Sequence, residues 1–116
     1  MKKALLIALV ATLSQFAHAG GNAGAGAEKS KACAACHGAD GNKPIAADIP
    51  RLAGQHADYL ERALTDYKSG ARKDPVMNGQ AAALSARDIQ DVAAYYQSRR
   101  GELRIIPLHR LAGGTH

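Results

Sequence analysis

The chain has 116 residues, carries 15 Lys and Arg against 10 Asp and Glu for a formal charge of +5, and is 47% hydrophobic. That length suits one domain, and the charge excess is too small, and too little interleaved with aromatic residues, for a nucleic-acid-binding surface. With four tyrosines, one phenylalanine and no tryptophan, aliphatic side chains must fill the interior together with something the polypeptide does not itself encode.

In chain order, Lys2 and Lys3 precede an apolar run from Ala4 to Leu13, and Ala17-His18-Ala19 places small residues around a cleavage point. This pattern predicts a secretory signal peptide over 1–19. A membrane anchor is the alternative, but the run is well short of the roughly 20 residues that span a bilayer. No second stretch of that kind follows, so the mature chain is expected to have no transmembrane segment and to be exported, in a bacterium to the periplasm. Removing Lys2 and Lys3 leaves 13 basic against 10 acidic residues, a charge of +3, which suits docking to an acidic partner.

Gly20 to Gly26 is rich in Gly and Ala and is expected to be a flexible lead-in, with a short helix from about Ala27 ending at Gly38. That helix carries Cys33-Ala34-Ala35-Cys36-His37, two thiols three apart followed directly by an imidazole. The spacing is the attachment signature for c-type haem. Thiols one turn apart can both bond to vinyl groups on one edge of a porphyrin, and the histidine is then carried beneath the macrocycle as an iron ligand. A thioredoxin-like dithiol belongs with alternating strands and helices that are not evident here. A structural zinc site needs four ligands, and there is no second cysteine pair. A haem also supplies the missing apolar plate, so the apoprotein is predicted to be largely unfolded.

Asp40-Gly41-Asn42-Lys43-Pro44 signals turns, and Ala39 to Ile49 is predicted to be a loop crossing one side of the haem. Tyr59, Leu60, Ala63, Leu64 and Tyr67 recur at helical spacing, predicting a helix over about 55–69 with Gly70 as its C-terminal cap. Ala71 to Ala83 has no such period and contains Pro75 and Gly79, predicting an irregular loop that presents Met77. The last helix begins at Ser85, a good N-cap with Asp88 three residues on and Leu84 placed to pack on Ile89. Ile89, Val92, Ala93 and Tyr96 form its apolar face, and Arg99 and Arg100 before Gly101 suit its C-terminus. The fold class is therefore all-α.

With His37 alone, iron would stay open to exogenous ligands, and Met77 is the only methionine besides the initiator. Methionine commonly fills core gaps, but turn-forming Pro75, Asn78 and Gly79 surround this one, which points to iron ligation. The haem motif, then Pro50-Arg51-Leu52-Ala53-Gly54-Gln55-His56-Ala57-Asp58-Tyr59-Leu60, then Tyr67-Lys68-Ser69-Gly70-Ala71-Arg72, Met77-Asn78-Gly79 and Tyr95-Tyr96 resemble the class I cytochromes c. The bacterial cytochrome c4 and c553-like proteins are the nearest kind, over about residues 27–100.

The resemblance implies a small all-helical fold wrapped around one covalent haem c, with first and last helices crossing near the attachment site. It implies covalent attachment at Cys33 and Cys36 and axial iron ligation by His37 and Met77. It implies that the Pro50 carbonyl accepts a hydrogen bond from His37 and that Leu52 packs on the haem. His56 has only a weak claim on iron, and Tyr59, Tyr67 and Arg72 are candidates for propionate contacts. Cytochrome c4 itself carries two such domains, whereas one motif is present here. Residues 20–101 form the cytochrome domain in this reading, and 102–116 a C-terminal extension whose isoleucines and leucines favour packing.

The function read from these residues is a periplasmic monohaem carrier of single electrons, not an enzyme, working as a monomer or weakly associated subunit between a protein donor and a protein acceptor. The alternative is the cytochrome subunit of a periplasmic dehydrogenase or oxidase complex. A third class has Met77 displaced by peroxide or a gas.

Overall fold

The computed structural model describes residues 20–101, in which the chain forms five helices: α1 (Ala23–Lys29), α2 (Lys31–His37), α3 (Ala57–Ser69), α4 (Pro75–Ala82) and α5 (Ala86–Ser98). No strand occurs among the described residues. The signal peptide expected at 1–19 and the extension expected at 102–116 lie outside them.

The glycine-rich lead-in, expected to be flexible over 20–26, is helical from Ala23 onward. Asn22 caps α1, its side chain accepting a hydrogen bond from Ala25 N at 2.9 Å. The small residues that suggested flexibility serve close packing instead. A Cβ at Gly26 would stand 1.9 Å from the Asp91 carbonyl oxygen, and one at Gly21 would stand 1.9 Å from that of Gln90. Glycine lets the backbones of α1 and α5 approach to a distance any side chain forbids. α1 ends at Ser30, which separates it from α2.

α1 packs on α5, α5 on α3, and α3 on α4. The crossing of α1 with α5 is pinned by the carboxylate of Asp91, only 3% exposed, which accepts from Asn22 N at 2.7 Å and from Lys29 Nζ at 2.8 Å. Lys29 also pairs with Asp88 at 2.6 Å, and Arg87 Nε lies 3.3 Å from Asp91. The last helix has the predicted start, and its capping box is closed in both directions: Asp88 N donates to Ser85 Oγ at 3.0 Å and Ser85 N to Asp88 Oδ2 at 2.9 Å. Its predicted apolar face, Ile89, Val92, Ala93 and Tyr96, is buried. Leu60 of α3 joins Val92, Ala93 and Tyr96 in one cluster against which Cys33, Leu52, Ala57, Leu64 and Tyr95 pack. α3 docks on α5 through polar groups too, Gln97 Oε1 accepting from Ala57 N at 2.7 Å. That bond satisfies one of the donors a helix start leaves free.

The segment 71–83, expected to be irregular, contains α4. Asp74 is its N-cap and Pro75 its first residue, where proline's missing N–H costs nothing and its fixed φ suits a helix. Lys68 donates to the carbonyls of Ala82 and Leu84 at 3.1 and 2.6 Å, tying the far end of α4 to α3.

Candidate haem-attachment site

α2 places Cys33 and Cys36 three residues apart, hence on one face of the helix. Both thiols are unbridged and half-buried. Cys33 rests against the buried cluster, and burial pushes its thiol up, an effect partly offset by Tyr96. The Tyr96 hydroxyl is buried without a hydrogen-bond partner among the described protein atoms; burial first, and then the neighbouring Cys33, push it up as well.

His37 closes α2 and is 6% exposed. Its Nδ1 lies 2.8 Å from the Pro50 carbonyl oxygen. A carbonyl only accepts, so Nδ1 carries a proton, and in the neutral ring the lone pair is then on Nε2, the tautomer a metal-ligating histidine needs. The chain is turned sharply to allow this. Gly38 has φ 90° directly after the histidine, in the region that favours glycine, and a Cβ there would meet the Lys43 backbone at 2.7 Å. Backbone bonds from Ile45 N to Cys36 O at 3.0 Å and from Leu52 N to Gly41 O at 2.9 Å then fold segment 38–56 back beside α2, with Pro50 across from the ring. Leu52 is half-buried against the same cluster as Cys33.

Met77 is half-buried on α4 and is not among the residues packed on the buried cluster. Its backbone N–H donates to Asp74 Oδ1 at 2.8 Å. His56 stands at the N-cap of α3 and its exposed side chain makes no capping bond. Arg72 lies 4.8 Å from the centre of the Tyr67 ring, and Tyr59 is 53% exposed. A cavity of about 430 Å³ bordered by Pro44, Ile49, Pro50 and Gln55 includes none of the cysteines, His37 or Met77 in its lining.

Two properties of the described residues fit a haem. The backbone of α2 lies close to that of α1 and to no other described helix, and its link to the core runs through the Cys33 side chain against the cluster on α3 and α5. Only one large side chain, Tyr96, is fully buried, while Ile45 and Val76 are 71% and 61% exposed, so the polypeptide has apolar surface to give to a flat apolar partner. No group of three or more His, Cys, Asp or Glu gathers among the described residues to hold a metal ion. The sequence reading missed the polar clasp around Met77, formed by Asp74 and Asn78. The Asp-Pro pair at 74–75 was its available signal, being an N-cap followed by a favoured first helical residue.

The chain matches the Cytochrome c family over residues 22–100, and it belongs to that family. It is 46% identical over 98 residues to cytochrome c4 of Pseudomonas aeruginosa, covering 83% of this chain and 48% of that protein. It is 45% identical over 82 residues to cytochrome c-554(548) of Halomonas halodenitrificans, covering 68% of this chain and 98% of that protein. The solved structure of reduced recombinant cytochrome c4 from Pseudomonas stutzeri superposes with a TM-score of 0.66 at 41% identity, covering 72% of this chain and 48% of that one. The chain thus spans about half the length of the cytochrome c4 proteins it matches. The family's cofactor is covalently bound haem c, and the two cysteines in the attachment arrangement are Cys33 and Cys36.

Proposed function

We propose that this protein is an exported, periplasmic carrier of single electrons, with haem c on Cys33 and Cys36 and with His37 and Met77 as the axial iron ligands. The observation that carries the reading is the hydrogen bond between His37 Nδ1 and the Pro50 carbonyl at 2.8 Å. It fixes the ring plane, commits the proton and leaves Nε2 as the donor atom, immediately after two unbridged thiols. Haem c bound there supplies an iron that alternates between ferric and ferrous states. The remaining work belongs to the polypeptide. His37 is held in one tautomer and orientation, and Met77 sits on a short helix capped by Asp74. Ligands held rigidly in both redox states leave little to rearrange when an electron passes. A thioether sulfur favours the reduced iron and raises the potential. With both axial positions taken from the chain, no site is left for a substrate, and the protein is a carrier and not an enzyme.

Residues 2–19 support export through their charged start, apolar run and small-residue cleavage point, and no helix among the described residues is long and apolar enough to cross a membrane. The donor and acceptor in this reading are redox proteins, and the net positive charge of the mature chain favours acidic faces on them. A relative spanning 98% of its own length in the match, cytochrome c-554(548), supports one such domain standing alone as a free carrier.

The test is the optical spectrum of the haem-loaded protein purified from an exporting, cytochrome-maturing host. The ferric form is expected to show the far-red methionine-to-iron charge-transfer band, to lose it in Met77→Ala, and to bind carbon monoxide in the reduced state only after that substitution. Ready carbon monoxide binding by the unsubstituted protein would overturn the carrier reading in favour of a gas- or peroxide-binding one. A stable heteromeric complex on sizing would shift it to the subunit alternative.

A further inference from the structure

The residue after Met77 makes more directed hydrogen bonds than its place on a short surface helix requires. Asn78 Nδ2 donates to Tyr67 O at 2.7 Å and to Arg72 O at 2.8 Å, and Asn78 Oδ1 accepts from Asp74 N at 2.8 Å. The amide thus uses both its donors and one of its acceptor positions. Tyr67 lies in the last turn of α3, where carbonyls lack helical partners, and Arg72 and Asp74 lie on the connection between α3 and α4. One side chain therefore stitches three backbone points, two on the connection and one on α3, to the start of α4. Asp74 closes the other half of the clasp: its Oδ1 accepts from Val76 N at 3.0 Å and Met77 N at 2.8 Å, and its carbonyl accepts from Asn78 N at 2.8 Å. Met77 lies between these two residues in the chain, and its own N–H is part of the arrangement. Asparagine is a weak helix former, so local helix preference does not explain its presence at this position, whereas the geometry of its amide does.

We infer that Asn78 is a positioning residue for Met77, locking the first turn of α4 to the end of α3 so that the thioether is presented at one fixed place and resists displacement by outside ligands. The inference rests on the proposed ligation by Met77. Its physical content is preorganisation: a ligand held where it is needed loses little freedom on bonding, while one on a loosened turn must be ordered each time and competes less well with a small molecule from solution. Lys68 ties the opposite end of α4 to α3, which gives a control for general loosening of that helix.

The experiment titrates the ferric haem-loaded protein with imidazole, following loss of the far-red band. Asn78→Leu keeps the approximate size and removes all three side-chain bonds; it is expected to bind imidazole about tenfold or more tightly, the effect of losing about 1.4 kcal/mol of preference for the native ligand. Lys68→Met is expected to stay within about twofold of the unsubstituted protein, a change of only a few tenths of a kcal/mol. Should Asn78→Leu fail to mature, Asn78→Asp takes its place, since it keeps the acceptor for Asp74 N, loses both donors and is expected to shift in the same direction. An unchanged imidazole affinity in the Asn78 variants, or an equal shift in Lys68→Met, overturns the inference. A band that survives Met77→Ala overturns the ligation on which it depends, and so separates the two failures.

Discussion

Asp91 and Asp88 show how single side chains hold this molecule in register. Both carboxyls lie below their ordinary value of 3.8: Asp88 is held down to about 2 by the hydrogen bond from Lys29 and next by Ser85, and Asp91 is lowered by the backbone N–H of Asn22 and next by Lys29. The folded protein therefore binds fewer protons than the unfolded chain once the pH falls below about 4. The stability Asp88 contributes is complete above that pH and is lost as the pH drops towards its folded value of about 2, and Asp91 contributes in the same direction. Asp88→Asn is accordingly expected to lower the thermal midpoint of the haem-loaded protein at neutral pH, with the gap to the unsubstituted protein closing as the pH is lowered through this window. Circular dichroism melts at a series of pH values check this, and a gap that widens in acid would contradict it. His37 differs in kind, because what matters there is which nitrogen carries the proton, and the Pro50 carbonyl decides that.

Among the elements, α1 and α4 are where glycine has opposite meanings. Gly26 faces the Asp91 carbonyl so closely that a methyl group would stand 1.9 Å from it, whereas a Cβ at Gly79 of α4 meets nothing within 4 Å. Gly26→Ala is expected to destabilise the protein by about 3 kcal/mol, since backbone must move to admit it. Gly79→Ala is expected to stabilise by roughly 0.5–1 kcal/mol through helix preference alone. Denaturant titrations of the two variants give both signs at once. The same contrast explains what the sequence made legible. α3 and α5 could be read because each buries one face of a long regular helix and so writes a period into the chain. α1 is hidden because its partner demands glycines, which look like a linker, and α4 because its eight residues are too few to establish a period. The cysteines and His37 form a local string, readable at a glance. The bond from His37 to Pro50 spans 13 positions and follows a loop whose path depends on turns and backbone bonds, so family resemblance, and no local pattern, pointed to it.

At the scale of the whole molecule, the described helices form a frame with little interior of its own. α1 and α2 have seven residues each and α4 has eight, below the roughly 12–15 at which an isolated helix begins to hold in water. Their stability must come from packing, yet among the described residues only Ala53, Leu60, Ala81, Ile89, Val92, Ala93 and Tyr96 are buried hydrophobic residues, and α2 reaches the core through Cys33. Each large apolar side chain fully buried contributes about 1.5–3 kcal/mol, while fixing the backbone costs about 1–2 kcal/mol for every ordered residue. A core this small does not carry that cost without a further apolar surface, and a covalently attached porphyrin supplies one while also tying α2 to the fold. The chain made without haem attachment is therefore expected to show a largely coil-like far-ultraviolet circular dichroism spectrum and no cooperative melt, and the haem-loaded protein a helical spectrum with a sharp transition. A helical, cooperatively melting apoprotein would mean that the crossing of α1 and α5, with its Lys29, Asp88 and Asp91 cluster, holds the fold by itself and that the haem is a guest in a finished structure.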